Sequence, residues 1–175
     1  MKIIFTISFF LLFSSAAFPQ LTSLSGKPLI HGEGLANMAK KIRSDFLLGA
    51  WQIGITSTPN ESFLVTDKNK PALKELFKHE FNILNIHLHT VTVQPQRGTF
   101  DLKLIDELVD FAEKNNKVIY LHVLAWMGAL PDWIKYGNFN ESELREILTN
   151  RITTILTRYG KKAKYVDVVN EAVAG

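Results

Sequence analysis

"KYVDVVNEAVAG", residues 164–175, sets an apolar run over 165–169, broken only by Asp167, directly ahead of Asn170 and Glu171. Its β-branched and aromatic residues predict a strand over 165–172. A run with so few polar breaks suits a strand covered on both faces, as in a parallel sheet. In parallel α/β folds the functional side chains collect at the carboxyl ends of the strands. Glu171 is then a candidate general acid, and Asn170 a candidate hydrogen-bond donor to a substrate hydroxyl. A glutamate that merely meets water where a strand surfaces is the plainer alternative, and it stays open at this point.

Working outward, strand-like and helix-like stretches alternate. "FLLGAWQIG" (46–54) is a compact apolar run punctuated by glycines, consistent with a buried strand. "TDKNKPALKELFKHEF" (66–81) has a polar start at Thr66 or Asp67, then Leu73, Leu76, Phe77 and Phe81 at helical spacing. "NILNIHLHT" (82–90) alternates and predicts a strand. "FDLKLIDELVDFAEKNN" (100–116) sets Leu102, Ile105, Leu108, Val109 and Ala112 on one helical face, with Asn115 and Asn116 ending it. "KVIYLHVLAW" (117–126) is a further buried strand. "NESELREILTNRITTILTRYG" (140–160) is the clearest helix. Asn140 with Glu143 forms a capping box, Leu144, Ile147, Leu148, Ile152, Ile155, Leu156 and Tyr159 keep the helical period, and Gly160 stands at the C-cap.

The order β-α-β-α-β-α-β implies a parallel sheet covered by helices. A doubly wound open sheet competes with part of a (β/α)8 barrel. The open sheet usually carries a Gly-rich turn after its first strand, yet "GAWQIGITS" is not GxGxxG and no Walker-type GK[ST] occurs.

Bulk composition narrows the function classes. Hydrophobic content of 46% and charged content of 21% are globular values. A net charge of +3 with scattered lysines does not form a nucleic-acid surface. The absence of cysteine removes disulfides, thiol catalysis and Cys-type zinc sites. Met1 and Lys2 precede "IIFTISFFLLF" and then "SSAAFPQ", a charged start, an apolar run and small residues. That pattern predicts a secretory signal peptide over 1–19, whose apolar run of about eleven residues is too short to span a bilayer, which needs about twenty. Residues 20–45 form a lead-in with a short helical stretch, "GLANMAKKIRSD".

The strand-end rule also selects His87 and His89 on the second strand, and His122, Trp126 and Met127 on the third. Alternate residues of a strand share a face, so His87 and His89, with His122 near, can be set out as zinc ligands. Against this, no Asp or Glu ends those two strands, and no metal is expected. Asp167, within the fourth strand, is expected to be a buried structural acid. Trp126 and Trp133, flanking Pro131, suit core packing as well as ligand stacking.

Taken together, four segments in order resemble glycoside hydrolase family 10, the endo-β-1,4-xylanases, which are retaining (β/α)8 barrels. "FLLGAWQIG" resembles the first strand, and "QPQRGTFDLKLIDELVDFAEKNN" the P-x-x-G-x-F stretch with the second helix. "LHVLAWMGALPDW" is similar to GHTLxWHxQxPxW, keeping His122, Leu124, Trp126, Pro131 and Trp133. "YVDVVNEA" resembles WDVVNEA, the most specific of the four. The resemblance implies that Glu171 is the acid/base and Asn170 binds the sugar beside the cleaved bond. It also implies that His122 and Trp126 line that subsite. The family's ENxMKW stretch is replaced by "IHLHTVTVQP", with His87 near the place of its Glu. Met127, Ala129, Leu121 and Val166 replace the family's His, Gln, Gly and Trp. The polar set that grips the more distant sugar is thereby largely lost.

The expectation is therefore a secreted or periplasmic hydrolase of β-1,4-linked polysaccharide, xylan or related. Residues 46–175 supply about the first four βα units of the barrel. The family's nucleophile comes at the end of the seventh strand. A full barrel needs about 250 residues, and this chain has 175, so it is expected to be truncated before the nucleophile and inactive alone. No cofactor, nucleic acid or stable membrane anchor is expected. The alternatives are a non-catalytic glycan-binding remnant and a metal-dependent barrel hydrolase using His87, His89 and His122.

Overall fold

The computed structural model describes residues 32–50, 62, 64–65 and 71–173. The expected signal peptide, the start of the lead-in, residues 51–54 of the expected first strand and the Thr66 or Asp67 helix start lie outside the described residues.

The described elements are α1 (Leu35–Ile42), β1 (Gly49–Ala50), α2 (Pro71–Glu80), β2 (Ile83–His87), α3 (Thr90–Val93), α4 (Lys103–Lys114), β3 (Val118–His122), a 3-10 turn (Met127–Ala129), α5 (Asp132–Lys135), α6 (Glu141–Tyr159) and β4 (Tyr165–Val166). Helix α1 lies in the lead-in and is tied to α2. The Leu35 N–H donates to Glu80 Oε2 at 2.8 Å, and Gly34 sits so close to the His79 carbonyl that a Cβ there would collide.

The strands form one parallel sheet in the order β1-β2-β3-β4. Sequential order decides between the two architectures: a doubly wound sheet reverses direction at a switch point, whereas a barrel adds each strand beside the last. The pleat sorts side chains into two faces. Leu84, Ile86 and Leu88 of the β2 segment, with Ile119 and Leu121 of β3, are buried in one core cluster. Phe77 of α2, Val93 of α3, Ile105, Leu108, Val109, Phe111 and Ala112 of α4, and Ile155 and Tyr159 of α6 join it, with Leu64 and Leu124. The other face, which in a barrel points inward, carries the polar pairs Asn85↔Tyr120 and His87↔His122.

Helix α6 starts as its sequence predicts, with both halves of the Asn140–Glu143 capping box formed. Gly160 is its C-cap but keeps a right-handed backbone. The predicted apolar face divides: Ile155 and Tyr159 are buried, whereas Leu144, Leu148 and Leu156 are exposed.

Three predicted strands end early, the one expected over 117–126 forming only over Val118–His122. Residues 82–90 pair only as far as His87, because the carbonyl of His89 accepts from Thr92 and Val93 and opens α3 instead. Residues 165–172 give a strand only over Tyr165–Val166. Pairing with β3 resumes at Ala125↔Val169, so His122, Val123 and Leu124 stand opposite only Asp167 and Val168. The extra residue on the β3 side is a bulge, a device that re-aims side chains at sheet edges and sites. Among the described residues, no helix is long and apolar enough to cross a membrane.

Candidate active site

The strand register assembles the candidate residues. His87 and His122 are cross-strand partners at the carboxyl ends of β2 and β3, so both side chains project from the same face. Their rings are 5.2 Å apart between centroids. His89, two residues on, returns to that face, with its ring 5.1 Å from that of His87 and His87 Nδ1 3.3 Å from His89 Nε2. Trp126 follows: its ring lies 5.1 Å from that of His89, and its Nε1–H donates to Glu171 Oε2 at 2.8 Å.

Asp167 joins the group from β4. Tyr120 pairs with Tyr165, which brings Asp167 alongside His122. One Asp167 oxygen lies 2.6 Å from His122 Nδ1 and also accepts from the Tyr120 hydroxyl. Asp167 was expected to be a buried structural acid. Its side chain is instead 36% exposed and holds the His122 ring in place.

Burial sets the charge state. His87 is only 4% exposed. Loss of solvation, followed by the nearby His89 and His122, pulls its pKa down to about 3, so it is neutral at ordinary pH. His89 is shifted down too, by burial first and then by His122 and Arg151. Burial and the Asp167 bond push the Tyr120 phenol well above its ordinary value, which keeps it a donor.

Arg151 escaped the sequence reading. It is 3% exposed on α6, where its Nε donates to Leu124 O at 2.9 Å and its Nη2 donates to Leu88 O. One guanidinium thus fastens the segments just beyond β2 and β3. A signal existed: Arg151 falls three residues after Leu148 and four before Ile155, on the apolar period of its helix.

The structure therefore brings His87, His89, His122, Trp126, Asp167 and Glu171 into one connected group. Asn170 adjoins it through the chain, its backbone N–H donating to Ala125 O at 3.0 Å. Glu171 adopts φ +52°, a left-handed conformation unusual for a non-glycine residue. Trp133 stands apart, with its indole N–H given to Gln94 O at 3.0 Å. A groove of about 290 Å³ between α4 and α6 is lined by ion pairs such as Arg158–Asp106 and contains no strand-end residue.

A family model described as Glycosyl hydrolase family 10 matches residues 49–175. Endo-1,4-beta-xylanase B of Thermotoga neapolitana is 33% identical over 102 residues, covering 57% of this chain and 30% of that protein. Endo-1,4-beta-xylanase C of Paenibacillus barcinonensis is 31% identical over 150 residues, 81% of this chain and 13% of that protein. Among solved structures, xylanase 10B from Thermotoga petrophila RKU-1 in complex with xylobiose superposes with a TM-score of 0.69 at 28% identity. That match covers 83% of this chain and 42% of the xylanase. The chain thus spans less than half the length of these relatives. With a match over residues 49–175 and a sequentially ordered parallel sheet, the chain belongs to glycosyl hydrolase family 10 and covers part of its (β/α)8 barrel.

Proposed function

We propose that this chain supplies the acid/base part of an exported, retaining hydrolase of β-1,4-linked xylan or a related polysaccharide. The observation that carries the reading is the Trp126 Nε1–Glu171 Oε2 hydrogen bond at the carboxyl end of the fourth strand, within the segment the family matches. With Oε2 held by the indole, Oε1 is the oxygen that passes a proton to the glycosidic oxygen and later takes one from water. Asn170 and His122 bind the sugar next to the cleaved bond, His87 stands beside His122 on the side of the more distant sugar, and Trp126 orients the carboxylate. Residues 1–19 act as an export leader, 20–45 as the lead-in and 46–175 as the barrel segment.

Retention needs a second carboxylate about 5–5.5 Å from the first, acting as nucleophile. Asp167, the other described carboxylate at these strand ends, is committed to His122 and Tyr120. On this reading no described carboxylate at these strand ends is free to act as the nucleophile, and the 175-residue chain by itself is expected to be inactive on an aryl β-xyloside. Turnover by the purified chain that Glu171→Gln abolishes would overturn that statement. In a complete barrel carrying this segment, Glu171→Gln lowers kcat/KM on xylan about 10²–10⁴-fold. An aryl xyloside whose leaving group needs no proton keeps its fast first step in the same variant. Equal losses on both substrates would remove Glu171 from the acid/base role.

A further inference from the structure

The three histidines are more than a polar lining. One ring nitrogen from each of His87, His89 and His122 lies within 4.8 Å of the other two. We propose that they form a binding site for a divalent transition ion of the zinc type, beside the acid/base position and not required for glycoside hydrolysis. This departs from the metal-free site expected from sequence, which counted only residues ending the two strands and left out the carboxylate that β4 brings across.

Three features of the geometry support the site. The first is spacing. Zinc–nitrogen bonds of about 2.0–2.1 Å in a tetrahedron set ligand nitrogens about 3.3 Å apart. His87 Nδ1 and His89 Nε2 already stand at 3.3 Å. The second is orientation. Zinc-binding histidines commonly give their other ring nitrogen to a carboxylate, which fixes the tautomer and ring angle. The contact of His122 Nδ1 with Asp167 Oδ2 at 2.6 Å is that arrangement, and it turns Nε2 into the lone-pair nitrogen.

The third is rigidity. His87 and His122 are locked in register on adjacent strands, and Arg151 ties the backbone between His87 and His89 and beyond His122 through Leu88 O and Leu124 O. Charge is mixed, since the Arg151 cation opposes a bound dication and the Asp167 carboxylate offsets it. Imidazole donors without an oxygen cage select zinc, nickel, cobalt or copper over calcium and magnesium. Three protein nitrogens leave a fourth position for water.

The site is read without substrate, so it stands or falls separately from the glycosidase assignment. Zn2+ is titrated into the metal-free 175-residue chain by calorimetry, and Co2+ is followed by its visible spectrum. One ion per chain is expected, with the intense cobalt bands of a four-coordinate site and no competition from Ca2+ or Mg2+. His89 and His122, which are less buried than His87, carry the test. His89→Gln and His122→Asn each weaken zinc by 10-fold or more. Asp167→Asn, which leaves the three imidazoles in place but removes the carboxylate that supports His122 and accepts from Tyr120, weakens it about 10–100-fold. His79→Gln, at a histidine bonded to Glu80 and Gly32 O, leaves affinity unchanged and reports on adventitious binding. Thermal melts of the metal-free variants confirm that each is folded. Zinc binding that survives His89→Gln in a folded variant, binding that follows His79, or an octahedral cobalt spectrum overturns the proposal.

Discussion

At His87, a single side chain couples the site to acid stability. Burial, then His89 and His122, hold its pKa near 3, while in the unfolded chain it titrates at about 6.5. The groups around it are His89 and His122 on the same face, Asp167 behind His122, and the Arg151 cation that acts on His89. Between those two pKa values the unfolded state holds a proton that the folded state lacks. Stability is therefore full above about pH 6.5 and falls as pH is lowered toward 3, by up to about 1.4 kcal/mol per pH unit for this one group. His89, also shifted down, adds to the same slope. Urea midpoints of the chelator-treated chain from pH 7.5 to 4.5 measure it, and His87→Asn flattens it. Asp106, whose carboxyl Arg158 holds below its ordinary value, contributes with the same sign only below about pH 4. An unchanged slope in His87→Asn would show that His87 is not the neutral group described.

At the scale of elements, α6 and the strand ends depend on each other through Arg151. Arg151→Met keeps the volume and the helix but leaves the Leu88 and Leu124 carbonyls without this donor. Each buried orphan costs about 1–3 kcal/mol. Arg151→Lys restores little, because a single ammonium cannot reproduce the fork that meets both oxygens. Chemical denaturation distinguishes the two variants from the parent, and a loss below about 0.5 kcal/mol in Arg151→Met would mean the clamp has little weight. The capping box of α6 was legible because Asn140 and Glu143 act within one turn and need no knowledge of the fold. Arg151 was harder to read, since its partners are carbonyls supplied by two distant segments. The early ends of β2 and β4 were illegible for a related reason. "NILNIHLHT" and "YVDVVNEA" both have strand composition, but a capping carbonyl stops one and a bulge on the neighbouring strand interrupts the other.

Across the whole molecule, the sheet runs in one direction and its last described strand is paired on one side only. Beyond β4, Val168 and Val169 are 59% and 55% exposed, and Leu144, Leu148 and Leu156 of α6 are exposed as well. An open parallel edge beside apolar side chains is a surface for association. The purified 175-residue chain is expected to self-associate with rising concentration in sedimentation velocity. Val169→Lys with Leu148→Lys shifts it toward monomer, and a strictly monomeric parent at high micromolar concentration would contradict this. The parallel α/β sheet was legible from the βα alternation and the barrel from the family resemblance of four segments, and the sequential strand order agrees with both. The company kept by Asp167 was not legible, because a residue's neighbours across a sheet depend on register, and register here includes the bulge.

One conformational detail has an evolutionary side. Glu171 holds a left-handed backbone, φ +52°, that glycine or asparagine adopts more easily. Relieving it is worth about 1 kcal/mol, and Glu171→Gly should raise Tm by about 2–4 °C while removing the carboxylate. A lower melting point in that variant would show that the side chain repays its own conformation. In a lineage released from cleaving sugars, mutation at this codon would find stability downhill and drift to Gly or Asn. Under the proposed acid/base role, the glutamate at 171 is held by a reaction, at a position where folding alone favours glycine or asparagine.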